Sequence, residues 1–118
     1  HRFDGRMTQE TPLFAKTYDL LVYLLQISDA FPRSQRDLRQ RIRTLSLACL
    51  DLLLDARKTT PYRRRTLLRE ADATLDKLRY TVRACQELGL ISPKQYLHAA
   101  GLMAEVGKLL GTWIKPAV

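Results

Sequence analysis

Three places in this chain of 118 residues pair a hydroxyl side chain with a proline: Thr11-Pro12, Thr60-Pro61 and Ser92-Pro93. A hydroxyl at a helix N-cap accepts a backbone N–H that the first turn leaves unpaired. Proline in the next position lacks only a donor that would have no partner there. Each pair therefore predicts a helix start. A fourth start follows Phe31-Pro32, because the residue before a proline avoids helical dihedrals, and Ser34 is the candidate cap. The predicted helices run over about 12 to 31, 34 to 58, 61 to 88 and 93 to 115, with Gly89 stopping the third. No stretch alternates apolar and polar residues as a half-buried strand does. Connections this short make consecutive helices antiparallel neighbours, so the expected fold is all-α, an up-and-down four-helix bundle.

Periodicity suggests more apolar surface than one bundle needs. In the first helix Phe14, Tyr18, Leu21, Leu25 and Ser28 form one stripe, and Leu13, Leu20, Tyr23, Leu24, Ile27 and Phe31 another beside it. In the second, Leu38, Ile42, Leu45, Cys49, Leu52 and Ala56 read as the core stripe. On the opposite side Arg36, Arg39 and Arg43 give way to Leu47, Leu50 and Leu54. The fourth helix carries Ala100, Ala104, Gly107 and Gly111 on one side and Leu102, Val106, Leu109 and Trp113 on another. Each interior glycine costs about 1 kcal/mol against alanine, so a small-residue side implies close approach of another helix. Contiguous apolar rows facing away from a core imply a partner, and a second copy of the chain is the simplest one. The expected surface between copies comprises Leu13, Leu20, Ile27, Leu47, Leu50, Leu54, Leu102, Val106, Leu109 and Trp113. The competing reading is an irregular bundle in which one of these rows is core.

The length suits one domain, expected over residues 11–118, with residues 1–10 a flexible polar leader and Met7 a candidate natural start. Charge interrupts every apolar run before about 18 residues, so no membrane span is expected, and a cytoplasmic location follows by default. Cys49 and Cys85 fall at apolar helical positions and read as buried free thiols.

The formal net charge is +8, unevenly spread. The first 31 residues carry three basic and four acidic side chains, whereas residues 32–60 carry seven and three. Arg33, Arg36, Arg39 and Arg43 climb the start of the second helix. Arg57, Lys58, Arg63, Arg64, Arg65 and Arg69 cluster about the next turn. Dense positive faces of this kind suit sequence-independent contact with nucleic-acid phosphates, and arginine favours bidentate phosphate pairing.

Signals for chemistry are weak. His98 and Glu105 stand two helical turns apart, about 10 Å, too far for joint metal ligation. Arg69 with Asp72, and Asp76 with Arg79, read as solvated helix pairs. A Gly-rich phosphate loop after a strand, the Glu-x-x-His pairs of di-iron bundles and a recognisable nucleophile setting are all missing from the sequence. No catalytic residue, metal or cofactor is expected. The alternative is a small helical enzyme that holds an acidic molecule through arginines, as chorismate mutases do, with Arg41 the one residue that hints at it.

Much of the chain resembles the accessory variability determinant (Avd) proteins of diversity-generating retroelements. These belong to the four-helix-bundle family that includes the 23S rRNA intervening-sequence proteins. The resemblance runs through the tyrosine-containing first helix ending at Phe31-Pro32-Arg33, the basic and then leucine-rich second helix, Ala71-Asp72-Ala73, Leu78-Arg79-Tyr80, and above all Ala104 to Ile114. The chain lacks the Ser-Asn-Ile-Ala-Glu-Gly type of stretch associated with many intervening-sequence proteins, which favours Avd. The resemblance implies a bacterial or phage-encoded homopentamer without catalysis of its own. It also implies that the protein binds RNA or DNA and associates with a reverse transcriptase during mutagenic copying of a template repeat.

Overall fold

The computed structural model describes residues 7–115, the side chains from Pro12 onward. Four helices follow one another: α1 Met7–Ser28, α2 Arg36–Arg57, α3 Pro61–Glu87 and α4 Pro93–Ile114, with a 3-10 turn at Arg33–Gln35 ahead of α2. Two of the three hydroxyl-proline pairs act as expected. Thr60 caps α3 by accepting the Arg63 N–H at 3.3 Å, and Ser92 accepts the Gln95 N–H at 3.0 Å. The Gln95 side chain returns to the Ser92 N–H at 2.9 Å and completes a capping box. Thr11-Pro12 does not start its helix: α1 already begins at Met7 and Pro12 lies inside it, at the loss of one backbone hydrogen bond. Of the leader expected over 1–10, residues 1–6 lie outside the described residues and 7–10 are helical. Neither the 3-10 turn nor α2 has a side-chain cap, so Ser34 is not the cap expected of it. Gly89, at φ +77°, ends α3 as expected. The Leu90 N–H reaches the Cys85 carbonyl at 2.8 Å and the Gly89 N–H reaches Gln86 at 3.0 Å, the paired bonds of a Schellman stop.

Short connections give the expected up-and-down bundle, in which α1 and α3 each pack against α2 and α4. Its core is built from Leu13, Leu20 and Leu24 of α1, Ile42 and Leu53 of α2, Leu68, Leu75, Leu78 and Val82 of α3, and Met103, Val106 and Leu110 of α4. Burying each such side chain contributes roughly 1.5–3 kcal/mol. Four hydroxyls are buried as well. Thr17, Ser28, Ser46 and Thr81 each donate to the carbonyl one turn earlier, at 2.6–2.8 Å, and so enter the core already partnered.

The phases of two helices differ from the sequence reading. In α2 the buried residues are Ile42, Ser46, Cys49, Leu53 and Ala56, while Leu38, Leu45 and Leu52 lie half-buried on the flank. In α4 they are Ala99, Met103, Val106 and Leu110. Leu13, Leu20 and Val106, expected between copies, are thus spent in the core of a single chain. Ile27, Leu102, Leu109 and Trp113 are half-buried against that core. Of the residues expected between copies, those in α2 alone include exposed ones, with Leu47 and Leu54 43% and 36% exposed and Leu50 half-buried. Only part of the small side of α4 is met by a neighbouring helix of the same chain. Ala104 is exposed, and a side chain added at Gly101 or Gly111 would meet nothing within 4 Å. Gly107 has another reason: the Arg79 guanidinium lies where its Cβ would stand.

Cys49 and Cys85 are free and fully buried. Desolvation pushes the Cys49 thiol up to about 11, with Arg79 opposing and Asp72 adding, and desolvation raises Cys85. Both thiols stay protonated in the fold after an unfolded chain would have ionised, so stability falls as pH rises through the window from about 9 to 11. At pH 8 native alkylation should run at least about 100-fold slower than in denaturant, and mass spectrometry should find no disulfide. Rapid labelling of either thiol under native conditions would contradict this burial.

Candidate nucleic-acid interface

Antiparallel packing sends the two arginine sets to opposite ends of the molecule. Arg33, Arg36 and Arg39 belong to the end where α1 passes into α2. Arg57, Lys58, Arg63, Arg64 and Arg65 surround the α2–α3 turn at the other end, with Arg69 farther along α3. The 22 residues of α2 separate them by about 33 Å. Between them, along the same helix, lie Leu47, Leu50 and Leu54. The outer wall of α2 is therefore basic, then apolar, then basic.

At the α2–α3 end the cations divide by use. Arg64 donates from Nε to the Ala56 carbonyl at 2.8 Å and from Nη2 to the Thr59 carbonyl at 3.2 Å, and so closes backbone acceptors that the end of α2 leaves open. Arg57 lies over the Phe14 ring, 4.8 Å from its centroid, while Trp113 meets the same ring edge-on at 6.0 Å. Both arginines hold helix ends together. Lys58, Arg63, Arg65 and Arg69 are exposed and make no ion pair among the described residues. In particular, the expected Arg69–Asp72 pair does not form among those contacts.

At the α1–α2 end, Arg33, Arg36 and Arg39 line a cavity of about 510 Å³ together with Phe31 and Pro32. Asp29 approaches Arg39 at 3.9 Å. Arg43, a turn farther along α2, is half-buried.

Sequence reasoning missed three arginine contacts between helices, that of Arg64 with Ala56 and two more. Arg79 does pair with Asp76, at 2.6 Å, but its other arm reaches over Gly107 to the Met103 carbonyl at 3.4 Å and ties α3 to α4. The glycine in mid-helix was the available signal. Arg41 donates to the Thr81 hydroxyl at 3.1 Å and lines an open groove of about 450 Å³ with Lys77 and the exposed Tyr80. Arg41 is itself exposed, so it forms no enclosed substrate site of the kind the enzyme alternative needs. His98 packs edge-on against Tyr23 at 4.5 Å, a structural contact. Among the described residues no three of His, Cys, Asp and Glu group as metal ligands, and no helix is long and apolar enough to cross a membrane.

A family model described as bAvd-like matches residues 13–117. No curated protein matches the chain.

The division among arginines sets an expected contrast in thermal or urea unfolding. Arg64→Ala should lose about 1–3 kcal/mol, because it orphans two carbonyl partners, whereas Arg65→Ala should stay within about 0.5 kcal/mol of the parent. Equal effects would remove Arg64 from its capping role.

Proposed function

The chain belongs to the bAvd-like family, a family of accessory, non-catalytic proteins, and from that membership we propose that it serves a diversity-generating retroelement in the cytoplasm. In this reading it assembles as a ring of five copies, binds RNA or DNA, and associates with the retroelement's reverse transcriptase. The nucleic-acid part is carried by one observation: exposed arginines and a lysine at both ends of the bundle lack carboxylate partners among the described residues, Arg39 excepted. Side chains kept only for solubility need no such concentration, and phosphate contact uses it directly.

Self-association is supported by what faces outward. Leu47 and Leu54 expose apolar surface on α2. On α4, Gly101, Ala104 and Gly111 are exposed small residues on one side, beside the exposed Leu97 and Lys108. Gly101 and Gly111 weaken their helix by roughly 1 kcal/mol each with no packing gain inside the chain, so a close neighbour outside it supplies the reason.

Binding should then weaken steeply with salt and tolerate sequence changes. Neutralising about six phosphates means a loss of about a thousandfold between roughly 50 and 200 mM salt. Arg36, Arg39 and Arg43 changed together to glutamine, or Arg63, Arg65 and Arg69 together, should lower affinity and flatten the salt slope by about three units. Arg64 is left in place because it caps α2. If both triple variants bind RNA, DNA and polymerase as the parent does, the arginines only solubilise and the reading fails.

For the ring, light scattering should give five times the 13.6 kDa chain mass. Leu47→Glu with Leu54→Glu should reduce that mass at unchanged helix content. A parent protein that is monomeric at micromolar concentration excludes the ring.

A further inference from the structure

The α1–α2 corner is concave, and its cations stand in register. Arg33 and Arg36 are three residues apart across the 3-10 turn, where such residues eclipse. Arg36 and Arg39 are then three apart on the first turns of α2, again as neighbours. The three guanidinium groups therefore belong to one edge, and all three residues line the same space of about 510 Å³. Its wall is firm. Phe31 is buried, and its N–H is held by the Ser28 carbonyl at 3.1 Å. Among the described residues the one carboxylate in ion-pair reach is Asp29, on Arg39, which leaves three positive charges against one negative.

We propose that this cavity takes a phosphate monoester, the terminal phosphate of a nucleic-acid strand together with its nucleotide. A monoester carries a charge of about −1.5 to −2 at neutral pH and three free oxygens. That matches the excess of two cations and the forked donors of arginine. An internal phosphodiester has a single charge and chain continuing on both sides, which suits an open row of cations. Lys58, Arg63, Arg65 and Arg69, exposed at the other end, spread cations over an open surface of that kind. The volume is also in the usual range for a small-ligand pocket, about 300–1,000 Å³. The choice of a strand end as the source of the phosphate rests on the nucleic-acid reading above. The monoester chemistry does not, since a free nucleotide supplies the same group.

The test uses the full chain and two kinds of probe. Adenosine 5′-monophosphate should shift the Arg33, Arg36 and Arg39 side-chain NMR resonances, and adenosine should leave them unmoved. A short oligonucleotide with a terminal phosphate should bind about tenfold more tightly than the same strand ending in hydroxyls, with 5′- and 3′-phosphate compared separately. Arg36→Gln with Arg39→Gln should erase that ratio. Arg63→Gln with Arg65→Gln should weaken both strands and preserve it. Unmoved arginine resonances with adenosine 5′-monophosphate, or equal binding of both strand types, overturns the proposal. If the mononucleotide shifts the arginines while no oligonucleotide binds at all, the monoester site stands with a free nucleotide as its ligand, and the nucleic-acid reading is what fails.

Discussion

The arrangement depends on helix ends closed within a few residues. A helix leaves backbone donors and acceptors unpaired at its termini, and a chain can turn back sharply only where something nearby satisfies them. Here Thr60 and Arg64 close the two sides of the α2–α3 turn, and Gly89 and Ser92 close the two sides of the α3–α4 turn. Short turns leave no alternative to antiparallel neighbours. That topology then determines where charge goes: residues early in α2 and residues at its end are carried to opposite poles, whatever their proximity in sequence.

The parts legible beforehand were those set by local chemistry. Thr60-Pro61 and Ser92-Pro93 act through atoms within one turn, so a short stretch of sequence contains the whole interaction. The parts misjudged depend on angle. Successive helical residues differ by 100°, so taking Leu52 for Leu53 as the inward residue tilts the stripe: Ile42, Cys49 and Ala56 stay in the core, while Leu38, Leu45 and Leu52 fall to its flank. An abundance of leucine in α1 and α2 made either choice consistent with the pattern. The roles of Arg64 and Arg79 were hidden for another reason. Each depends on a carbonyl that other residues bring into reach, and no spacing along a single helix announces it. The family resemblance was legible because it rests on a run of residue identities, which does not require the phase to be known.

The outer wall of α2 joins these results. Its arginines at one end, leucines at mid-length and basic turn at the other end separate surface of different character along one rigid rod. An apolar middle can be covered by a partner while both poles stay open to solvent. Under the proposed role, the same division is why no single arginine is expected to dominate: the candidate phosphate contacts are spread over two poles, and two of the arginines at the turn serve the helix ends instead.

The self-partnered hydroxyls of the core have a further consequence. Thr17, Ser28, Ser46 and Thr81 spend their protons on their own helices, so among the described residues none of these hydroxyls donates to another helix, and Thr81 alone accepts from one. Among the described residues, every side-chain hydrogen bond between two helices is donated by an arginine at the perimeter: Arg41 to Thr81, Arg64 to Ala56, Arg79 to Met103. Close-packed side chains set the phase of the helices inside, and the arginines add the directional ties at the edge. Whatever engages the guanidinium groups of Arg41, Arg64 or Arg79 therefore competes with a tie between two rods, so surface chemistry and helix contact meet in the same side chains.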